Sequence, residues 1–155
     1  MIRRMTDRDV FQVAAIEKKI FSLPWSEQGF ADALASRDTI FLVAEEEVAN
    51  SCGQVCKVIM GYIGMYISLD EGEITNVAVA EGYRRHGIGD ALVEHILSEG
   101  KQAGVERFIL EVRVSNEPAI RLYEKYGFVS VGVRAGFYEQ PREDASIMIH
   151  ERNRQ

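Results

Sequence analysis

Thr75-Asn76-Val77-Ala78-Val79-Ala80-Glu81-Gly82-Tyr83-Arg84-Arg85-His86-Gly87-Ile88-Gly89 is the stretch that decides the fold. A β-branched run gives way to a basic turn with two glycines, and helical spacing of Ile88, Ala91, Leu92 and Ile96 begins at once. A strand that passes straight into a helix through such a turn makes an anion site. Backbone N–H groups point outward at the helix start, the dipole favours negative charge, and glycine lets a phosphate approach the main chain. There is no Gly-Lys-Ser/Thr, as a nucleoside triphosphate loop needs, and Leu92 stands where a dinucleotide fingerprint needs its third glycine. Taken alone, the turn also fits an ordinary strand-to-helix connection with surface arginines.

Downstream, alternation in Phe108-Ile109-Leu110-Glu111-Val112-Arg113-Val114 puts Phe108, Leu110 and Val112 on one face and Ile109, Glu111 and Arg113 on the other. A carboxylate in such an apolar strand is either ion-paired, with Arg113 the nearest candidate, or faces a cleft where a raised pKa is useful. The next segment has a cap at Ser115 or Asn116, Pro118 in its first turn and Gly127 as its stop, which predicts a helix over 118–126. Ala119, Leu122, Tyr123 and Tyr126 share its apolar face, where Tyr123 packs and also carries a phenolic proton.

Upstream, Thr6-Asp7 and the spacing of Val13, Ile16 and Ile20 predict a helix over about 6–21, and Ser26 caps a second that ends near Arg37. Strands follow over Thr39 to Ala44, Val55 to Ile67 and Glu73 to Val79, as an antiparallel meander. After the glycine turn come a helix from Gly87 to Ala103, the strand from Phe108, the helix from Pro118, and strands near 128–133 and 145–150. The result is a mixed sheet with helices, of α/β (α+β) class, formed by residues 1–155 as one domain.

The chain has 155 residues, 46% hydrophobic and 27% charged, with a formal charge of -6. That balance argues against non-specific binding of nucleic acid. No stretch reaches a membrane span and the N-terminus lacks a signal-peptide core, so a cytoplasmic location is expected. Cys52 and Cys56 lie in the polar stretch Asn50 to Lys57 and are expected as reduced thiols in a hairpin loop; no metal is expected.

Arg84-x-x-Gly87-x-Gly89 and Asn116-x-x-Ala119-x-x-Leu122-Tyr123-x-x-x-Gly127-Phe128 together resemble the Gcn5-related N-acetyltransferase (GNAT) superfamily. Leu23-Pro24-Trp25-Ser26, Asn76-Val77-Ala78-Val79, Leu110-Glu111-Val112-Arg113 and Tyr138 resemble its RimI branch, the ribosomal-protein alanine N-acetyltransferases. The resemblance spans nearly the whole chain.

It implies that the strands Glu73 to Val79 and Phe108 to Val114 are parallel and splay to admit the pantetheine arm of acetyl-CoA. Val77, Ala78 and Val79 would line that arm. Arg85, His86, Gly87, Ile88, Gly89 and Asp90 would hold the pyrophosphate, and Asn116 would touch the cofactor further along. Glu111 is implied as general base and Tyr123 as general acid, and the partner as a protein N-terminus, that of a ribosomal protein beginning with alanine. Trp25, the turn from Asp70 to Glu73, and Tyr138 would meet the peptide, with Glu71 and Glu73 beside its ammonium. His86 departs from the usual turn, and the Asn50 to Lys57 stretch is longer than the usual hairpin. Competing readings are transfer to a small free amine or a lysine side chain, a non-catalytic CoA-binding module, and an interaction domain without cofactor.

Overall fold

A computed structural model describes residues 1–152. Its elements are β1 (Ile2–Arg4), α1 (Val10–Ile20), α2 (Glu27–Ala35), β2 (Thr39–Ala49), β3 (Val55–Ser68), β4 (Glu71–Val79), α3 (Ile88–Gln102), β5 (Arg107–Arg113), α4 (Glu117–Lys125), β6 (Val129–Glu139) and β7 (Arg142–Glu151). The strands form one sheet in the order β1-β2-β3-β4-β5-β7-β6. β4 and β5 are parallel and the other neighbours antiparallel, so the mixed sheet with its meander is as the sequence predicts.

The two faces of the sheet bury separate cores. Leu92, Val93, Ile96 and Leu97 of α3 pack with Ile63, Met65, Ile74, Phe108, Leu110 and Met148 on one side. Val10, Val13 and Ala14 of α1 and Phe30 and Ala33 of α2 pack with Phe41, Val43, Ile59 and Tyr62 on the other. Ser26 caps α2 as predicted, its Oγ accepting from Gly29 N at 3.0 Å, and of the two candidates Ser115 and Asn116 it is Asn116 that caps α4, its Oδ1 accepting from Ala119 N at 3.3 Å.

The parallel pair is short. β4 and β5 are in register from Glu71 opposite Arg107 to Ile74 opposite Leu110, and no further. Beyond that point β4 stays with β3 as far as Val79, and β5 stays with β7 as far as Arg113, so the strands part. Thr75 is the cause on the β4 side: Met65 faces Ile74 and Gly64 faces Asn76, which leaves Thr75 as an extra residue that bends the strand. The expected splay is present, and its opening lies between Asn76–Val79 and Glu111–Arg113.

Several boundaries differ from those predicted. The first helix begins as a 3-10 turn, Asp7–Asp9, before α1. β2 and β3 continue through Glu45-Glu46-Glu47 to a turn of five residues, so Cys56 stands on a strand opposite Val48 and only Cys52 is in the turn; both are exposed free thiols. The polar sequence there suggested a loop, but two antiparallel strands continue pairing regardless of side chain once one end is fixed. β6 runs six residues past the predicted Val133, because its irregularities, an extra residue at Val131 and a second shift between Arg134 and Tyr138, are absorbed without ending its pairing with β7. Among the described residues no helix is long and apolar enough to cross a membrane.

Arg3 of β1 binds two buried carboxylates, Asp9 at 2.8 Å and Glu45 at 2.7 Å. Burial pushes the Asp9 carboxyl up, but the Arg3 hydrogen bond and the Thr6 N–H outweigh it, and the net direction is down. Glu45 is held down first by Arg3, against burial. Both groups have folded pKa values below their ordinary ones, so the stability they contribute is full above the ordinary values of 3.8 and 4.5 and is lost as pH falls through the lowered ones. Tm measured from about pH 6 down to about pH 3 should therefore fall, and Arg3→Met should flatten that slope. An equal slope in the variant would remove Arg3 as the cause.

Candidate active site

Two glycine-turn residues take left-handed backbone, Arg85 at φ 66 and Gly87 at φ 77. Gly87 caps α3, and the first helical bond runs from Ala91 N to Gly87 O at 3.1 Å, so the N–H groups of Ile88, Gly89 and Asp90 precede the helical ladder and face out. Arg85 and His86 are exposed beside them. Gly89 leans on α4, since a Cβ there would be 3.3 Å from Leu122 Cδ2. The Asp90 carboxylate, which would repel an anion, is instead held by Lys125 Nζ at 2.5 Å and accepts from Tyr126 Oη at 3.3 Å, which ties α3 to α4. Only its backbone N–H faces out with those of Ile88 and Gly89. The Asn116 side-chain oxygen is similarly engaged as the α4 cap.

Val77, Ala78 and Val79 lie on the parted segment of β4, where the register gives them no partner on β5. Their edge toward the opening can bond an extended amide-bearing ligand as a strand would.

Glu111 faces the same opening from β5. Its side chain is 18% exposed, Oε1 is 3.6 Å from Arg134 Nη1, and Oε2 is buried without a hydrogen-bond partner. Burial pushes its pKa up, Arg134 opposes this, and Glu73 adds to it. Arg113, the partner suggested by the sequence, is instead bound to Glu143 at 3.3 Å and lies 4.2 Å over the Tyr138 ring.

Tyr138, half-buried on β6, is pushed up by burial and then by the charge of Glu111, which places it beside that carboxylate. Tyr123 is 7% exposed on the apolar face of α4, and burial, with Tyr138 second, pushes its phenol up to about 12. It therefore carries its proton throughout the neutral range. Tyr123 belongs to the α3–α4 side of the sheet and Glu111 to the other, and Tyr138, whose phenol feels the Glu111 charge and acts on Tyr123, stands between them.

Glu73 acts on Glu111 through charge. Glu71, opposite Arg107, is four β5 residues away from Glu111, or roughly 13 Å along the strand. The structure thus brings Glu73 to Glu111 and leaves Glu71 at the far end of the parallel pair.

Trp25 stands on the α1–α2 connection, against Phe30, Phe41 and Tyr66 at ring separations of 5.2, 6.2 and 6.4 Å. Tyr66 faces Glu73 across β3 and β4, which joins Trp25 to the acidic side of the opening. A cavity of about 460 Å³ flanks Trp25, lined also by Gly29, Asp32, Ser36 and Tyr66. Ser22 Oγ donates to Gln140 O, so the connection also touches the β6–β7 turn. Together they bracket the approach to Glu111.

Sequence reasoning missed Glu17 and Arg134. Glu17 is buried, and accepts from Trp25 N at 2.8 Å and Tyr62 Oη at 2.7 Å, although Glu17-Lys18-Lys19 reads as a solvated helix face. Arg134 is one of several charges in a glycine-containing stretch, and only the β6–β7 register brings it to the site. Among the described residues no cluster could hold a metal ion.

Residues 10–128 match the family described as Acetyltransferase (GNAT) family. The [ribosomal protein bS18]-alanine N-acetyltransferase of Escherichia coli K12 is 36% identical over 135 residues, which cover 86% of this chain and 84% of that protein. The crystal structure of the ribosomal-protein-S18-alanine N-acetyltransferase from Escherichia coli superposes with a TM-score of 0.81 at 30% identity, covering 100% of this chain and 95% of that one. Arabidopsis thaliana NAA60 in complex with acetyl-CoA shares the fold, with a TM-score of 0.88 at 21% identity over 99% of both chains.

Proposed function

The chain belongs to the acetyltransferase (GNAT) family, and from that premise we propose that it moves the acetyl group of acetyl-CoA to the N-terminal α-amino group of a protein. The acceptor its relatives point to is the N-terminal alanine of ribosomal protein S18. All of its residues serve as one such domain, acting in the cytoplasm. The observation that carries this reading is the partly buried carboxylate of Glu111 at the gap where β4 and β5 part, with the buried phenol of Tyr123 linked to it through Tyr138.

Acetyl-CoA supplies an acyl group activated as a thioester. The outward N–H groups of Ile88, Gly89 and Asp90, with Arg85 and His86 beside them, suit its pyrophosphate. The Val77–Val79 edge suits its amide-bearing arm, and a backbone N–H there would steady the oxyanion formed during attack. Glu111 takes the proton that the acceptor's ammonium must lose before nitrogen can attack, directly or through water. Its raised pKa fits an α-amine near 8 better than a lysine near 10.4. Tyr123 gives its proton to the thiolate as the carbon–sulfur bond breaks. Trp25, Tyr138 and Glu73 would guide an extended peptide between the α1–α2 connection and the β6–β7 turn, with Glu71 contributing only at the periphery.

The test is release of free thiol from acetyl-CoA against peptides that begin Ala, Ser, Met or Gly, N-blocked lysine peptides, and polyamines. Saturable turnover confined to free α-amines, strongest with Ala, is expected. Turnover only with lysine or polyamine would move the acceptor to a side chain or small amine, and none at all would leave a CoA-binding module.

A further inference from the structure

Arg134 has no part in the reaction as described, yet it contacts the carboxylate assigned as base. It stands on β6 opposite Ala145, just before the irregularity that carries Tyr138 to its place opposite Glu143. Its Nη1 lies 3.6 Å from Glu111 Oε1, a loose ion pair, and its side chain is 56% exposed. Its guanidinium also lies 5.3 Å over the ring of Phe137, a second resting place. The Glu111 carboxylate is therefore enclosed at Oε2, while its other oxygen meets a cation that solvent reaches. An acceptor's ammonium must come to that same carboxylate.

We infer that Arg134 is a positioning residue that holds the ammonium seat at Glu111 until the acceptor's own ammonium takes it. The inference rests on Glu111 being the base. The groups around that carboxylate agree on what the guanidinium does. Glu73 of β4 adds negative charge, and Tyr138 of β6 is neutral. Tyr123 of α4 reaches this group through Tyr138. On β7 the residue opposite Glu111 is Ile147, and Glu143 is engaged with Arg113 of β5. Among the described residues, the cation paired with Glu111 is Arg134. Without it, burial and Glu73 would act on the carboxylate unopposed. A half-exposed guanidinium at 3.6 Å, with an aromatic face beside it, holds the charge in place but leaves with little loss.

The experiment compares pH profiles of wild type, Arg134→Gln, Arg134→Lys and Glu111→Gln with one alanine-initiated peptide. The acidic limb that Glu111→Gln abolishes is the limb to follow. kcat/KM reports the free enzyme and kcat the complex. In Arg134→Gln the limb of kcat/KM should move to higher pH, which lowers kcat/KM at about pH 6 by about 2- to 5-fold. The limb of kcat should stay in place, because bound ammonium has by then replaced the guanidinium. Arg134→Lys should restore the wild-type limb. The inference is overturned if the kcat/KM limb does not move, if kcat and kcat/KM limbs move together, or if rates fall equally at every pH. Should Glu111→Gln keep the wild-type limb and rate, the base assignment fails first and this inference with it. If Glu111→Gln abolishes the limb and Arg134→Gln leaves it untouched, only the role of Arg134 fails.

Discussion

Glu111→Gln should lower kcat by about 100- to 10,000-fold, the range that a positioned general base contributes, with acetyl-CoA binding unchanged. The amide keeps the shape of the carboxylate but cannot take a proton. The turn at Gly87–Asp90 that leads into α3 and the Val77–Val79 edge of β4, proposed to hold the cofactor, are not touched by the substitution. Loss of folding would not account for the result. Burial first, and Glu73 with it, push the Glu111 pKa above its ordinary value against the pull of Arg134. A carboxyl with a raised folded pKa favours the fold in its protonated form, so its ionised form at neutral pH weakens the protein. Replacing it with a neutral side chain should leave Tm equal or higher. Steady-state kinetics, a CoA thermal shift and a melting curve on the same preparation check this. An active Glu111→Gln enzyme would remove the residue from the chemistry.

Gly64→Ala should cost about 1–3 kcal/mol, a fall in Tm of roughly 3–10 °C, and raise the KM for peptide while leaving that for acetyl-CoA near wild type. Gly64 lies opposite Phe41 across β2 and β3, and a Cβ on it would be 2.2 Å from Phe41 Cε1 and 2.5 Å from Cζ. The ring would have to move. It has little room, being 6.4 Å from Phe30 and 6.3 Å from Tyr66 by ring centres, both in the aromatic group that supports Trp25. The displacement should therefore pass into the α1–α2 connection, on the acceptor side. Gly82→Ala is the control, since a Cβ there meets nothing within 4 Å and Tm should hardly change. A Gly64→Ala protein as stable as Gly82→Ala, with unaltered peptide kinetics, would show that the ring yields without cost.

Much of the fold is legible residue by residue. Ser26 caps the helix it was expected to cap, and Asn116, one of two candidates, caps the next, because a short polar side chain before an amphipathic run can satisfy its first free N–H groups. Gly87 before Ile88 starts the helix where the sequence places its beginning, and glycine there can take the left-handed conformation that the turn uses. Phe108, Leu110 and Val112 share one buried face and Glu111 the other, because strand alternation is fixed by the backbone.

The partners of those residues are another matter. Arg113 is two residues from Glu111 and looks like its counterion, yet it binds Glu143, thirty positions along the chain. Glu111 instead meets Arg134, brought across by the pairing of β5 with β7 and of β7 with β6. Asp90 was expected to help hold phosphate, but the approach of α4 gives its carboxylate to Lys125. Glu71 and Glu73 look equivalent in the sequence, and only the register with β5 separates them.

The sequence by itself determined the order of elements and their buried faces, because periodicity, caps and glycine positions act over a few neighbouring residues, and its motifs carried the resemblance to the family. Tertiary structure alone decided where β4 and β5 part, which cation stands at Glu111 and which carboxylates face the opening. Those follow from strand register and from a bulge at Thr75, which depend on residues far apart in the chain. A charge finds its partner through the summed geometry of the whole sheet, and no local spacing encodes that sum.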